Sequence, residues 1–85
     1  DLRGLDLTGC RMREANLVFA DFRKATVRSV DFSGARAIDA KFDEADLRGA
    51  VADASLWVSA SVRNAKIELM QAVAYAAAHG LVVEG

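Results

Sequence analysis

The 85-residue chain has no proline and only one each of cysteine, histidine, tryptophan and tyrosine. Without proline, its corners must be made by other residues. Cys10 alone excludes an internal disulfide, and Cys10 with His79 cannot assemble a zinc site. Eleven basic against twelve acidic residues leave a net charge of −1. That is neither the strong basicity of a nucleic-acid binder nor a general acidic excess. No apolar run approaches the ~20 residues of a membrane span, and no charged-then-apolar leader opens the chain. A soluble cytoplasmic protein is expected, with no membrane or direct nucleic-acid contact. There is no Gly-rich phosphate loop, because the glycines keep a different spacing. Exposed carboxylates without a cleft make a poor catalytic pair. The expectation is therefore not an enzyme, with no metal, no cofactor and no small-molecule substrate.

What the chain does have is a beat of five. Leu2, Leu7, Met12, Leu17, Phe22, Val27, Phe32, Ala37, Phe42, Leu47, Ala52, Trp57, Val62 and Ile67 are all apolar. With 53% of the chain apolar, composition alone yields such a run about once in ten thousand trials. A second comb, two residues earlier, is mostly alanine: Ala15, Ala20, Ala25, Ala35, Ala40, Ala45, Ala50, Ala60 and Ala65. Cys10 lies on this comb and is expected to be a buried packing residue.

A helix face repeats every 3.6 residues and a strand face every 2, so neither gives a period of five. A chain that turns a corner every five residues does. The large and small residues then point inward and the other three outward. Four such sides close a square coil, and coils stack by backbone hydrogen bonds at about 4.8 Å. The expected fold is an all-β solenoid of about three coils over residues 1–67, followed by a helix and tail over 68–85. Because Asp1 and Leu2 are already in register, the chain reads as part of a longer repeat protein.

Four units per coil make residues twenty apart stacked neighbours. Leu2, Phe22, Phe42 and Val62 share one side, and Phe22 on Phe42 is the most aromatic contact implied. Ala37 and Ala52 are undersized for the large position, and Val51–Val58 is the least regular stretch. Most outward charges form mixed-sign solvated faces. The fourth side differs, with Val18, Phe19, Ile38, Leu56 and Val58 read as an exposed apolar strip that something covers.

After Ile67 the beat stops. Residues 68–80 are Ala-rich and helical by propensity, with Gly80 just past the end and His79 in the last turn. Met70, Val73, Ala74, Ala77 and Leu81 share a helical face, and the tail Leu81–Val83 is a short β-type run. Helix and tail cap the column and, with Met70, Val73, Ala74, Ala77, Leu81 and Val83, form the expected dimer interface.

Units such as Ala20-Asp21-Phe22-Arg23-Lys24 and Ala45-Asp46-Leu47-Arg48-Gly49 resemble the pentapeptide-repeat family. That resemblance implies a right-handed quadrilateral β-helix with a short C-terminal α-helix cap. Asp1–Arg11, Ala45–Ala50 and Gln71–Leu81 resemble the mycobacterial fluoroquinolone-resistance group of that family. This implies a cytoplasmic homodimer joined through its C-terminal region. It further implies a partner, DNA gyrase, bound by imitating duplex DNA, which inhibits the enzyme and protects it from quinolones. A mimic needs closely spaced negative charge along a rod. Asp31, Asp43, Glu44, Asp46 and Asp53 are the acids that could face such a partner. The alternative is a scaffolding repeat module that only dimerises or docks another protein, with no role at gyrase.

Overall fold

The computed structural model describes residues 1–84. The chain winds as a β-helix solenoid whose rungs pair in parallel at a spacing of twenty residues. Asp6 bridges Thr26, which bridges Asp46, which bridges Lys66; Asp21 bridges Lys41, which bridges Ser61. The rungs are single bridges, because each side is only a few residues long before the next corner. The hydrogen bonds carry the same register: Phe22 N–H donates to Lys41 O at 2.7 Å, and Lys41 N–H to Ala20 O at 2.9 Å.

Each corner is a β-turn starting at a large apolar residue. Phe22 O accepts from Ala25 N–H, Phe42 O from Ala45 N–H and Leu47 O from Ala50 N–H, each at 3.0 Å. The third turn residue takes positive φ, the mark of a type II turn. Gly34 fills that position at φ +71°, and a Cβ there would come within 3.1 Å of the Glu14 side chain. Glu14, Phe19, Lys24, Ser29, Asp39, Glu44 and Asn64 adopt the same left-handed conformation. An L-residue is disfavoured there by about 1–2 kcal/mol. The turn geometry, imposed by the rungs above and below, overrides the local preference.

The two combs form the core. Phe22, Val27, Phe32, Phe42 and Leu47 are buried, walled by Ala25, Ala35, Ala40 and Ala45. Phe22 and Phe42 stack with centroids 4.6 Å apart and planes within 4°. Phe32, from an adjacent side, meets both rings edge-on, at 6.1 and 5.4 Å. Cys10 is exposed, contrary to the expectation of a buried residue. It sits on the first coil, where the column packs against it from one side only.

The fourth side of the third coil departs from the rule. Ala54–Ser59 forms a short helix, α1, and both Leu56 and Trp57 turn into the core. This corrects the reading of Leu56 as an outward residue: it is 1% exposed. A helical turn brings two neighbouring residues inward where a regular corner admits one. The undersized Ala37, twenty residues before Trp57, leaves room for the indole. Asp53 repairs the interrupted ladder, since Gly34 N–H donates to its Oδ2 at 2.6 Å, where a regular rung would offer a backbone carbonyl. The pairing resumes at Lys41–Ser61.

Leu69–Ala78 is a second helix, α2, lying against α1. Glu68 and Gln71 form a reciprocal capping box at its start. Its end is a Schellman motif: Leu81 N–H reaches Ala76 O at 2.9 Å and Gly80 N–H reaches Ala77 O at 3.0 Å, with Gly80 at φ +79°.

Candidate functional site

The outer walls are ruled by one local device. An Asp just before the large residue accepts a hydrogen bond from the backbone N–H two residues on, as Asp6 does from Thr8, Asp21 from Arg23, Asp31 from Ser33 and Asp46 from Arg48. Where that second residue is arginine, its guanidinium doubles back onto the same carboxylate. Arg23 Nη2 lies 2.7 Å from Asp21 Oδ2, and Arg48 Nη2 lies 2.7 Å from Asp46 Oδ2. The Arg48 bonds hold the Asp46 carboxyl down to about 2. Arg23 pulls Asp21 well below the usual carboxylate range, and the hydroxyls of Thr8 and Ser33 lower Asp6 and Asp31. The same bonds raise the Arg23 and Arg48 guanidiniums.

Acids singled out as partner-facing are mostly engaged within the chain. Asp31 bonds Ser33 and lies 3.5 Å from Arg13. Asp43 accepts from the Ser61 hydroxyl and the Arg63 N–H. Asp46 is paired with Arg48, and Asp53 with the Gly34 N–H. Glu44 lines an open depression with Arg3, Arg23 and Lys24. The five do not form one negative line; basic side chains alternate with them along the wall.

On the fourth side, Phe19 is 73% exposed, Ile38 and Val58 are exposed, and Val18 is half-buried. Phe19 borders a groove shared with Asp39, Lys41, Ser59 and Ser61. With Leu56 turned inward, the strip is shorter than its sequence suggested.

The C-terminal end of the rod is the most apolar surface. Gln71, Tyr75 and His79, spaced i, i+4, i+8, fasten α2 to the column. Gln71 Nε2 donates to Leu47 O at 2.6 Å and Ala50 O at 3.0 Å. Tyr75 meets Trp57 edge-on at 6.0 Å. The His79 ring lies 3.0 Å from Trp57 O through Nε2; a carbonyl can only accept, so Nε2 carries the hydrogen. This stripe was missed in the sequence, although its three side chains are the polar-tipped ones in an Ala-rich helix. The opposite face presents Met70, Ala74 and Ala77 to solvent with Val73 half-buried; Leu81 and Val83 beyond it are exposed, as are Leu69 and Val82. Beneath Tyr75, an open depression of about 290 Å³ lies between α2 and the last coil, lined by Trp57, Val62, Ala65 and Ile67 with Arg63 among them. Among the described residues, no group of three His, Cys, Asp or Glu side chains is placed to hold a metal ion.

A pentapeptide repeat protein from Nostoc Pcc 7120 of known structure superposes with a TM-score of 0.73 at 34% identity, over 79% of this chain and 55% of its own. The chain thus spans about half the length of that relative. Two trypsin-treated variants of QnrB1, a plasmid-mediated fluoroquinolone resistance protein, align at 23% and 22% identity with TM-scores of 0.43 and 0.46. They are covered over 41% and 42% of their length, and this chain over 96% and 98%. No curated protein matches. The model of the family "Pentapeptide repeats" matches in eight copies, over residues 1–28 and 15–51, and stops shortly before α1. With its five-residue corners, its twenty-residue rungs and that match over more than half its length, the chain belongs to the pentapeptide-repeat family.

Proposed function

We propose that this chain is part of a cytoplasmic, MfpA-type regulator, a right-handed quadrilateral β-helix that binds DNA gyrase as a duplex mimic, inhibits it and protects it from fluoroquinolones. In this reading residues 68–85 supply the self-associating end. One observation carries it: the segment resembling the mycobacterial resistance group folds as a helix docked by Gln71, Tyr75 and His79. The opposite side, with Met70, Ala74, Ala77, Leu81 and Val83, is left open to solvent. An apolar end on a rod is the simplest geometry for joining two copies end to end about a two-fold axis. The walls of this segment are charge-compensated. The duplex-like negative surface is therefore assigned to coils of the whole protein beyond residues 1–85, with Glu44 the least engaged of the five acids named above.

The test is a supercoiling assay with the whole protein and gyrase. Inhibition, and reduced drug-stabilised cleavage at protein excess, are expected; neither effect at any excess would overturn the gyrase assignment. Sedimentation tests the association separately. Val73→Asp places a charge beside the exposed face and should yield monomers; a dimer that persists moves the interface elsewhere. The pairing of Asp21, Asp31 and Asp46 within the wall favours a second reading, a scaffolding module. Dimers without any effect on gyrase would select it.

A further inference from the structure

The last coil ends in an open β edge. In the regular coils the N–H groups of the large residue and of the turn's third residue donate to the next rung, as Phe22 does to Lys41 O, Lys24 to Asp43 O and Leu47 to Lys66 O. The exceptions flank α1 and the start of α2, at Ala37 and Gly49, and Gly34 donates to the Asp53 side chain instead. In the last coil the corresponding N–H groups of Val62, Asn64 and Ile67 have no acceptor among the described residues. The carbonyls of Ala60 and Ala65 likewise have no donor. Unpaired backbone groups beside an apolar surface are a template for another strand. The depression beneath Tyr75 lies beside this edge, with Val62 and Ile67 in its lining. α2 thus caps only part of the column: Gln71 sits over the Leu47–Ala50 corner and His79 over Trp57.

The tail has the complementary features. The beat of five resumes at Val82, twenty residues after Val62 and therefore in its column. Leu81 and Val83 fall twenty residues after Ser61 and Arg63. Yet the tail does not occupy its own rung. The Schellman bond from Leu81 N–H to Ala76 O holds its start against α2, and Val82 is 81% exposed.

We propose that the occupant of the open edge is the tail of a second copy of this chain. Residues 81–83 of each copy lie along Ser61–Arg63 of the other, with Val82 in the depression above Val62. The carbonyls of Leu81 and Val83 accept from the Val62 and Asn64 N–H groups. The inference rests on the self-associating end proposed above, and it names the strand exchange that forms it.

The experiment uses the whole protein with Cys10→Ser, because that thiol is exposed. Arg63→Cys and Val83→Cys are made on separate copies; both positions are exposed. On adjacent rungs their Cα atoms lie about 5 Å apart, within disulfide range. Mixing and oxidising the two variants should give a cross-linked heterodimer, with neither variant cross-linking alone. Val82→Asp should weaken dimerisation at least tenfold. A wild-type dimer that survives Val82→Asp and gives no mixed cross-link overturns the exchange but leaves association through the α2 face standing. A wild-type monomer overturns both. Cross-linking within a single copy carrying both cysteines, without mixed dimers, would show the tail closing on its own edge and also overturns the exchange.

Discussion

Phe42→Ala tests the column where it is densest. The ring is fully buried, stacked on Phe22 at 4.6 Å and met edge-on by Phe32 at 5.4 Å. Burying and then deleting a Phe side chain typically costs about 3–5 kcal/mol. Each aromatic pairing adds roughly 0.5–1.5 kcal/mol beyond area. Collapse offers little relief here, because the hydrogen-bonded rungs on either side fix the spacing of the walls. The upper half of the range, about 4–5 kcal/mol, is therefore expected. For a domain of this size each kcal/mol shifts Tm by about 4–8 °C, so a loss of 15 °C or more, or outright unfolding, should follow. The control is Phe19→Ala, the same deletion at an exposed residue with φ +61°; its effect should stay within about 0.5 kcal/mol of zero. Urea unfolding followed by circular dichroism measures both. If Phe42→Ala cost less than 1 kcal/mol, or no more than Phe19→Ala, the stacked-column account of stability would be wrong.

Lys24→Gly should stabilise by about 1 kcal/mol, because Lys24 holds φ +63° in a turn that favours glycine; an unchanged or lower urea midpoint would refute this. Acid should destabilise the wall. Folding lowers the Asp46 carboxyl from 3.8 to about 2, so the stabilisation is present above pH 4 and lost as pH falls toward 2. It amounts to at most about 2.5 kcal/mol, and solvent screening brings it nearer 1. Asp46→Asn should flatten that part of the pH–stability curve. Gln71→Ala removes the capping box and both bonds to the column. Hydrogen exchange in α2 should rise about tenfold or more while the Phe22–Leu47 rungs keep their protection.

The solenoid was legible because one local rule, five residues per corner, recurs with the same residue types, so the stack of Phe22 on Phe42 followed from arithmetic. What the beat hid is instructive. Leu56 is off the beat and points inward because α1 replaces a corner, and only the undersized Ala37 and Ala52 hinted at that interruption. The left-handed conformations of Glu14, Lys24 and Glu44 left no compositional trace, since turn geometry enforced by stacked rungs overrides residue preference. In α2, alanines on every side blurred the apolar stripe. The docking face was decided by Gln71, Tyr75 and His79, whose polar tips found carbonyls and an indole. The acids Asp31, Asp43 and Asp46 could be placed on the wall from the sequence, but their pairing with Ser33, Ser61 and Arg48 depends on turn geometry and on stacking between coils.

The twenty-residue register also makes the molecule an indexing device. Removing twenty residues shortens the rod by one coil and leaves everything beyond it aimed as before. Removing five advances the remainder by a quarter turn, which would swing the apolar C-terminal end to the adjacent wall while every rung below kept its partners. Removing one to four residues has no such solution, because the inward and outward combs would exchange places. Changes of length in such a chain therefore come in steps of a corner or a coil, and each corner resets the heading of whatever the rod carries at its tip by ninety degrees.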